Sequence, residues 1–281
     1  MTIRTGQQYL DGLRDDREVY LDGRRVADVT KEPGLAEMAE TVAHLYDLHH
    51  DPAFADAFTF TDTDGSLRAK VWMLPKDAVE LAERQAYTQT MGRLTGGLFG
   101  RLPDYVPLFH VGMIDVKDAF SGGNPDLERN IVGYYEMVRE RDLTLSHAFV
   151  DLQCDPGLDL DDTPMLRIVK ETDAGLIVSG VKSIGTFVPQ ADECLIGTFP
   201  RPGLKPHHII YFSVPVSTHG FKVVARAPHV VGGHEFDHPS SRFGDENDAI
   251  VVLDNVLVPW ERVFQYGCDP AFAGRTFPLI T

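Results

Sequence analysis

Two segments in the first half of the chain carry apolar residues three and four positions apart, which is the spacing of one helix face, and a third segment lies between them. Residues 33–50 start at Pro33, a residue suited to a first helical turn, and residues 75–94 are rich in strong helix formers. Residues 124–143 have Pro125 near their start. The pattern therefore predicts three helices, with apolar stripes formed by Leu35, Met38, Ala39, Val42, Leu45 and Tyr46 in the first and by Leu127, Ile131, Tyr134 and Val138 in the third.

Short β-rich runs replace this helical pattern from about residue 144. Two runs within residues 165–185 are joined by Asp173-Ala174-Gly175, which is typical of a hairpin. Further runs read DECLIGTF, HHIIYFSVPV, FKVVARA and DAIVVLDNVLV, and they are separated by turn residues with no helical segment between them. This order favours an antiparallel sheet or barrel over a parallel βαβ sheet. We therefore expect an α+β protein with a helical domain at 1–143 and a β domain at 144–265, followed by the start of a further segment at 266–281.

The charge and the apolar content exclude several classes of partner. The 42 acidic residues outnumber the 26 basic ones, giving a net charge of -16, and this balance opposes binding to nucleic acid. The sequence has no apolar run long enough to span a membrane, and its polar first residues do not resemble a signal peptide. Three distant cysteines without a C-x-x-C pair fit a reducing cytoplasm; they are Cys154, Cys194 and Cys268.

Residues 234–238 spell H-E-x-x-H, the pattern of zinc metalloproteases. The two histidines of that pattern reach one metal only on a helix, yet this segment follows two glycines and precedes Pro239. We therefore predict a loop without zinc, and no metal site elsewhere. The adjacent pairs His49-His50 and His207-His208 are also weak candidates, because neighbouring side chains on a helix or strand diverge.

Two other segments hold residues suited to catalysis. Arg101, Asp104 and Tyr105 lie in a glycine- and proline-interrupted region between helices, where a guanidinium and a phenol could bind an oxygen-bearing substrate. The alternative is a surface loop with an Arg–Asp pair. His147 lies at the junction of the helical and β regions and could act as a general acid or base. The alternative there is a structural histidine.

A third segment could place its backbone against a flat ligand. Gly180 and Gly185 allow close approach to the strand, and Thr186 can donate a hydrogen bond. The same residues also occur in ordinary hairpins, so this segment alone does not decide between the two.

Six blocks of the chain, in this order, resemble the 4-hydroxyphenylacetate 3-hydroxylase family, the oxygenase component of two-component monooxygenases that use reduced flavin. The blocks are RTGQQYLDGLRDDREVYLDGRRVADVT, LYDLHH, GRLPDY, SHAFVDLQ, KETDAGLIVSGVKSIGT and SSRFGDENDAIVVLDNVLVPWERVF. The resemblance implies a fold similar to acyl-CoA dehydrogenases, with a helical domain, a β-barrel domain and a C-terminal helical bundle. Because relatives run to roughly five hundred residues, residues 266–281 are expected to begin a bundle that is missing here.

The resemblance also implies roles for individual residues. Arg101 and Tyr105 match residues that contact the phenolic substrate, and His147 matches the histidine that holds the substrate hydroxyl and helps to remove its proton. A phenolate is more electron-rich at its ortho carbon, which favours oxygen transfer there. Thr198 and Phe199 are expected at the border of the substrate. The residues expected to contact FAD are His147, Ala148, Phe149, Gln153, Cys154, Asp155, Pro156 and Thr186.

The implied activity is ortho-hydroxylation of a phenol by FADH2 and O2, with the reduced flavin supplied by a separate reductase and the protein assembled as a homotetramer. Chlorophenol monooxygenases of the same family are an alternative, although Tyr105 and His147 favour the hydroxyphenylacetate type. An inactive truncated product is another. The related 4-hydroxybutyryl-CoA dehydratases need cysteines for an iron–sulfur cluster, and no cysteine precedes Cys154.

Overall fold

The computed structural model describes residues 3–97, 105–229, 236–239, 244 and 247–279 of the 281-residue chain. Helices predominate before residue 144 and strands after it. The helices are α1 (Gly6–Gly12), α2 (Ala36–Asp47), α3 (Ala55–Phe58), α4 (Ala78–Leu94), α5 (Tyr105–Asp115), α6 (Lys117–Ser121), α7 (Pro125–Arg141) and α8 (Pro270–Thr276). The strands are β1 (Glu18–Leu21), β2 (Arg24–Arg25), β3 (Thr59–Thr61), β4 (Leu67–Ala69), β5 (Leu145–Ala148), β6 (Val150–Asp151), β7 (Arg167–Thr172), β8 (Gly175–Ile184), β9 (Glu193–Ile196), β10 (Ile210–Pro215), β11 (Phe221–Ala225), β12 (Ala249–Pro259) and β13 (Val263–Tyr266).

The three predicted helices are confirmed as α2, α4 and α7. Side chains just before two of them accept hydrogen bonds from the free N–H groups of the first turn. Asp77 accepts from Val79 and Glu80 at the start of α4, and Asn124 accepts from Asp126 at the start of α7. The predicted hairpin is confirmed as well, because β7 pairs antiparallel with β8 across the turn that contains Asp173.

Among the described residues, seven strands form one sheet in the order β2-β1-β11-β12-β8-β6, with β7 also paired to β8. Four strands form a smaller sheet in the order β13-β10-β9-β5. Most neighbours are antiparallel as predicted, but β1 runs parallel to β11 and β5 runs parallel to β9. The strands β3 and β4 form a separate two-stranded sheet. Closure of the two larger sheets into a barrel stays a prediction.

The chain changes from the small sheet to the large sheet at Phe149. The strand β5 ends at Ala148 in the small sheet, and β6 begins at Val150 in the large sheet. A register shift between Val150 and Asp151 accompanies this change. Strands that pass from one sheet to another commonly do so at such a bend or bulge. We name residues 147–151 the strand corner, because the candidate site is built on both sides of it.

Two apolar cores flank this corner. One fills the space between the sheets, α1 and α2, and it includes Ala148, Leu176 and Val251. The other packs the helices α4, α5 and α7 against the small sheet, and it includes Phe109, Phe149 and Tyr211. The candidate site lies at the edge of the second core, where buried apolar side chains fix the helix and strand that carry it. No helix in the described part of the chain is both long and apolar enough to cross a bilayer.

Candidate active site

Aromatic rings from α5 and the strand corner meet around His147. The His147 ring lies 5.4 Å from the Tyr105 ring and 5.2 Å from the Phe149 ring, measured between centroids. Phe109 lies one helical turn after Tyr105, with its ring 5.1 Å from that of Tyr105 and 6.1 Å from that of His147. The sequence placed Tyr105 in an irregular region, whereas the structure makes it the first residue of α5. The helix therefore directs Tyr105 towards β5.

Two further phenylalanines extend this group of rings. The Phe199 ring lies 5.7 Å from that of Phe149, and the Phe277 ring lies 5.0 Å from that of Phe199. Ring pairs at such distances stabilise one another beyond the area that they bury. We name Tyr105, Phe109, His147, Phe149, Phe199 and Phe277 the aromatic cage. Phe149 is buried at its centre, whereas Tyr105, His147 and Phe199 are only half-buried. The cage thus brings three predicted substrate residues to one place.

A glycine permits this packing of rings. A Cβ atom on Gly197 would lie 2.5 Å from Cδ1 of Tyr211 and 2.8 Å from Cε1 of Phe149. Both distances are far shorter than a van der Waals contact, so a side chain at residue 197 would displace the rings. The backbone that follows β9 therefore approaches Phe149 as closely as it does only because residue 197 has no side chain.

Thr198 and Thr186 use their hydroxyl protons within the fold. Thr198 Oγ1 donates to the carbonyl of His208 at 2.6 Å. Thr186 Oγ1 donates to Asp248 Oδ1 at 2.7 Å, and the Thr186 carbonyl accepts from Ser146 Oγ at 2.6 Å. Because Ser146 precedes His147 on β5, Thr186 is fixed beside the strand corner. The predicted contacts of the two threonines with substrate and flavin stay predictions.

A cavity of about 370 Å³ lies where the chain leaves the strand corner. Its wall contains Cys154, Asp155 and Pro156, three of the residues predicted to contact the flavin. Ala148, another of them, is buried in the core. We name this space the Asp151 cavity; its lining residues are Asp151, Leu152, Cys154, Asp155, Pro156, Leu158, Asp159, Leu160, Thr163, Met165, Arg201, Pro202 and Gly203.

A fully buried lysine joins the cage to the cavity. Lys182 Nζ on β8 donates to the carbonyl of Phe149 at 3.1 Å and to Asp151 Oδ1 at 2.6 Å. Burial lowers the pKa of the Lys182 ammonium, and the attraction of Asp151 opposes that shift. Burying an ammonium is costly unless it is paired and hydrogen-bonded. The two bonds of Lys182 meet that requirement and fix the backbone of the corner.

The prediction that His207 and His208 diverge is wrong. Their ring centroids lie 4.1 Å apart, and their Nε2 atoms lie 2.7 and 3.0 Å from Asp161 Oδ1. The reason is a short 3-10 turn at Pro206–His208, which is tighter than the strand or α-helix assumed from the sequence. Asp161 also pairs with Lys205, and hydrogen bonds from Lys205 and His207 lower the pKa of its carboxyl.

One carboxylate and two imidazoles within reach of a common point could in principle hold a metal ion. Two observations favour a hydrogen-bonded ion-pair cluster instead. The backbone N–H of Lys205 donates to Nδ1 of His208 at 3.1 Å, which leaves Nε2 as the protonated nitrogen of a neutral ring. The Lys205 ammonium also occupies the charge-neutralising position beside Asp161. A metal bound through His208 Nε2 would have to displace the proton on that nitrogen and the Lys205 ammonium beside Asp161.

Several predicted residues lie outside the described part of the chain. They are Arg101 and Asp104 of the predicted substrate loop, and His234 and Glu235 of the H-E-x-x-H pattern. Three residues were missed by the sequence prediction. Phe109 could have been found from its spacing of four after Tyr105 on a helix. Phe277 and Lys182 gave no such signal, because their roles depend on contacts between distant segments.

A family model described as 4-hydroxyphenylacetate 3-hydroxylase N terminal matches residues 5–265. The chain belongs to this family. The 4-hydroxyphenylacetate 3-hydroxylase relatives include the oxygenase component of 4-nitrophenol 4-monooxygenase/4-nitrocatechol 2-monooxygenase from Rhodococcus opacus, which is 38% identical over 94% of this chain and 52% of its own length. They also include the 4-hydroxyphenylacetate 3-monooxygenase oxygenase component from Escherichia coli, which is 37% identical over 93% and 52% of the two chains.

Solved structures of the 4-hydroxyphenylacetate 3-hydroxylase family share the fold. A crystal structure of a 4-hydroxyphenylacetate 3-monooxygenase oxygenase component complexed with FAD and 4-hydroxyphenylacetate matches with a TM-score of 0.89 and 31% identity. It covers 98% of this chain and 58% of the solved one. The predicted fold class, α+β and similar to acyl-CoA dehydrogenases, is therefore confirmed. The chain spans about half the length of the curated relatives that it matches.

Proposed function

We propose that the protein containing this chain is the oxygenase component of a flavin-dependent monooxygenase, which hydroxylates a phenol ortho to its hydroxyl group with FADH2 and O2. The observation that carries the proposal is the strand corner. It places Tyr105 and His147 in an aromatic cage on one side and Asp151, at the cavity wall, on the other. A phenol and a flavin that react with each other must bind side by side, and the corner joins the cage to the cavity.

We assign the phenolic proton to His147. Its ring is held between Tyr105, Phe109 and Phe149, and it is only half-buried. The packed rings fix its orientation, and an imidazole can accept a proton near neutral pH. Accepting the phenol proton makes the ring of the substrate more electron-rich at the ortho carbon. We assign Tyr105 and Arg101 to hydrogen bonds with the substrate oxygen, and Phe199 and Thr198 to the border of its ring.

The Asp151 cavity fits part of a flavin in chemistry and in size. It has polar and apolar walls and the guanidinium of Arg201, which suits the negative charge of a dinucleotide cofactor. Reduced FAD, when bound, supplies the electrons with which one atom of O2 enters the phenol. We propose that the chain contacts FAD through His147, Ala148, Phe149, Gln153, Cys154, Asp155, Pro156 and Thr186.

We further propose that a separate reductase supplies the FADH2, that the whole protein is a cytoplasmic homotetramer, and that its domains divide at 1–143, 144–265 and 266–281. The helix α8 lies in the last of these segments and supports a helical start there. The substrate is proposed as a para-substituted phenol. Relatives that act on nitrophenol and on hydroxyphenylacetate differ by one percentage point in identity, so identity does not choose between them.

Product analysis with chemically reduced FAD tests this proposal. The protein is mixed aerobically with FADH2 and, in parallel, with 4-hydroxyphenylacetate, 4-nitrophenol or 2,4,6-trichlorophenol. We expect a hydroxylated product from at least one phenol, and none when the protein or O2 is omitted. Hydrogen peroxide as the sole product with every phenol would contradict the proposal.

A further inference from the structure

We propose that Lys182 is a positioning residue of the Asp151 cavity. It neutralises the Asp151 carboxylate, and this allows the cavity to accept an anionic flavin. The inference rests on the proposed function, because it concerns the same FAD. Lys182 does not line the cavity, and it would act through Asp151 and through the carbonyl of Phe149.

The geometry shows that Lys182 reaches both sides of the strand corner. Its side chain is 0% exposed, and that of Asp151 is 9% exposed. Asp151 lies on the cavity wall, while Phe149 lies at the centre of the aromatic cage. Ser183, the next residue on β8, donates to the carbonyls of Val150 and Asp151 at 3.3 and 3.1 Å. Ser183 and Lys182 thus both hold the backbone of the corner, and the contribution that Lys182 alone makes is its positive charge.

The charges around the cavity explain why that contribution matters. Three carboxylates line it, and they belong to Asp151, Asp155 and Asp159. Lys182 pairs with Asp151, whereas Lys205 is shared between Asp159, at 3.0 Å, and Asp161, which is not part of the cavity wall. For Asp155, the structure shows a hydrogen bond from the N–H of Gly157 and, within the described residues, no ion pair. Arg201 adds one positive charge. Without Lys182 the wall would be one unit more negative.

A flavin dinucleotide would be repelled by that additional negative charge. FAD carries negative charge on its diphosphate in both redox states, and the reduced ring is also anionic at neutral pH. An unneutralised carboxylate in a partly enclosed site interacts strongly with a nearby anion, because little water screens it. Loss of Lys182 should therefore weaken FAD binding even where the fold is intact, and loss of the Asp151 charge should restore it.

The test is a double-mutant cycle in which each variant removes one charge and the affinity for FAD is measured. The whole protein is prepared as wild type, Lys182→Met, Asp151→Asn and the Lys182→Met/Asp151→Asn double variant, and each is titrated anaerobically with oxidised and with reduced FAD. We expect Kd to rise about tenfold or more in Lys182→Met. We expect the double variant to return to within about threefold of wild type, because its pair is neutral. Lys170→Met on the neighbouring strand β7 is the matched control, since Lys170 is exposed and its loss should leave Kd unchanged.

Each outcome decides the matter. An unchanged Kd in Lys182→Met, or a double variant as weak as the single one, overturns the proposal, since both results mean that Lys182 has only a structural role. Should Lys182→Met fail to fold by circular dichroism, Asp151→Asn must bind FAD more tightly than the double variant does, and equal affinities overturn the proposal. Wild-type protein that binds no FAD would refute the proposed function itself. If the wild type binds FAD and the variants bind it with the same Kd, only the role of Lys182 is refuted.

Discussion

The rings of Tyr105 and His147 lie 5.4 Å apart, one at the start of α5 and the other within β5. Their planes are inclined by 56°, so the two rings pack at an angle rather than as a parallel stack. A helix from the first half of the chain and a strand from the second half thus contribute polar groups to one place. The assignment of phenol chemistry to this site depends on the contact between the Tyr105 and His147 rings.

Replacing His147 by Gln should abolish most of the hydroxylation. The variant keeps a polar side chain but cannot accept the phenol proton, and removal of a general base commonly slows a reaction by about 10²–10⁴-fold. The measurement is the rate of product formation with reduced FAD, accompanied by circular dichroism to confirm folding. His44→Gln on the exposed face of α2 is the matched control and should keep the wild-type rate. A fully active His147→Gln would remove His147 from the mechanism.

Replacing Gly197 by Ala should destabilise the protein. The added Cβ would overlap the rings of Tyr211 and Phe149, and such overpacking typically costs about 1–3 kcal/mol in the free energy of unfolding. Gly133→Ala makes the same change on an exposed helical position of α7 with open space around it. It should stabilise by about 0.5–1 kcal/mol. Denaturant titration measures both, and equal effects of the two variants would contradict the close packing at Gly197.

His110 should make stability depend on pH. Its ring is buried on α5, 4.8 Å from the Tyr134 ring and 5.7 Å from the Phe264 ring, and burial lowers its pKa to about 3. The unfolded chain protonates this histidine near pH 6.5, so below that pH the unfolded state binds one more proton than the folded state. The contribution of the neutral His110 ring to the free energy of unfolding is therefore fully present above pH 6.5, and it is lost progressively as the pH falls towards 3.

The slope of that loss should approach about 1.4 kcal/mol per pH unit. His110→Phe should remove this part of the slope, because a phenyl ring fills the same apolar position without titrating. Unfolding free energies at pH 7.5, 6 and 5 give the comparison, with His44→Gln as the exposed control. A His110→Phe variant whose slope equals that of wild type would show that His110 is protonated in the folded state.

The sequence predicted an element where neighbouring residues define it and failed where pairing with a distant segment defines it. The helix α7 was predictable because its cap and apolar stripe are local, and the hairpin of β7 and β8 was predictable from its turn. The strand β1 was missed because it is defined by its parallel pairing with β11, far along the chain. The order of the strand-like runs left an antiparallel sheet or a barrel open, and only the family resemblance favoured the barrel.

The candidate site divides in the same way. Tyr105, His147 and Phe199 were found through motifs, and the structure brings them together in the aromatic cage. Lys182 was not found, because a lysine in a β-rich run is ordinarily expected on the solvent face. Its burial depends on a partner, Asp151, that only the pairing of β6 with β8 brings near. The His207-His208 error had a local cause, since a 3-10 turn replaced the regular element that was assumed.

Metal analysis of the purified protein should find no stoichiometric zinc. The prediction covers the H-E-x-x-H segment and the cluster of Asp161, His207 and His208, where Lys205 already neutralises the carboxylate. The measurement is the zinc content after dialysis against metal-free buffer. One zinc per chain would contradict it, and comparison with Asp161→Asn would then tell which site is occupied, since loss of the zinc in that variant would identify the cluster.

The most direct test of the central claim is the origin of the oxygen atom in the product. The protein is supplied with reduced FAD, ¹⁸O₂ and the phenol that gives most product, and the hydroxylated product is analysed by mass spectrometry. We predict one ¹⁸O atom per newly hydroxylated product molecule and no label when the same reaction is run with ¹⁶O₂ in labelled water. Product oxygen that comes from water, or reduction of all ¹⁸O₂ to hydrogen peroxide with the phenol unchanged, would contradict the monooxygenase assignment.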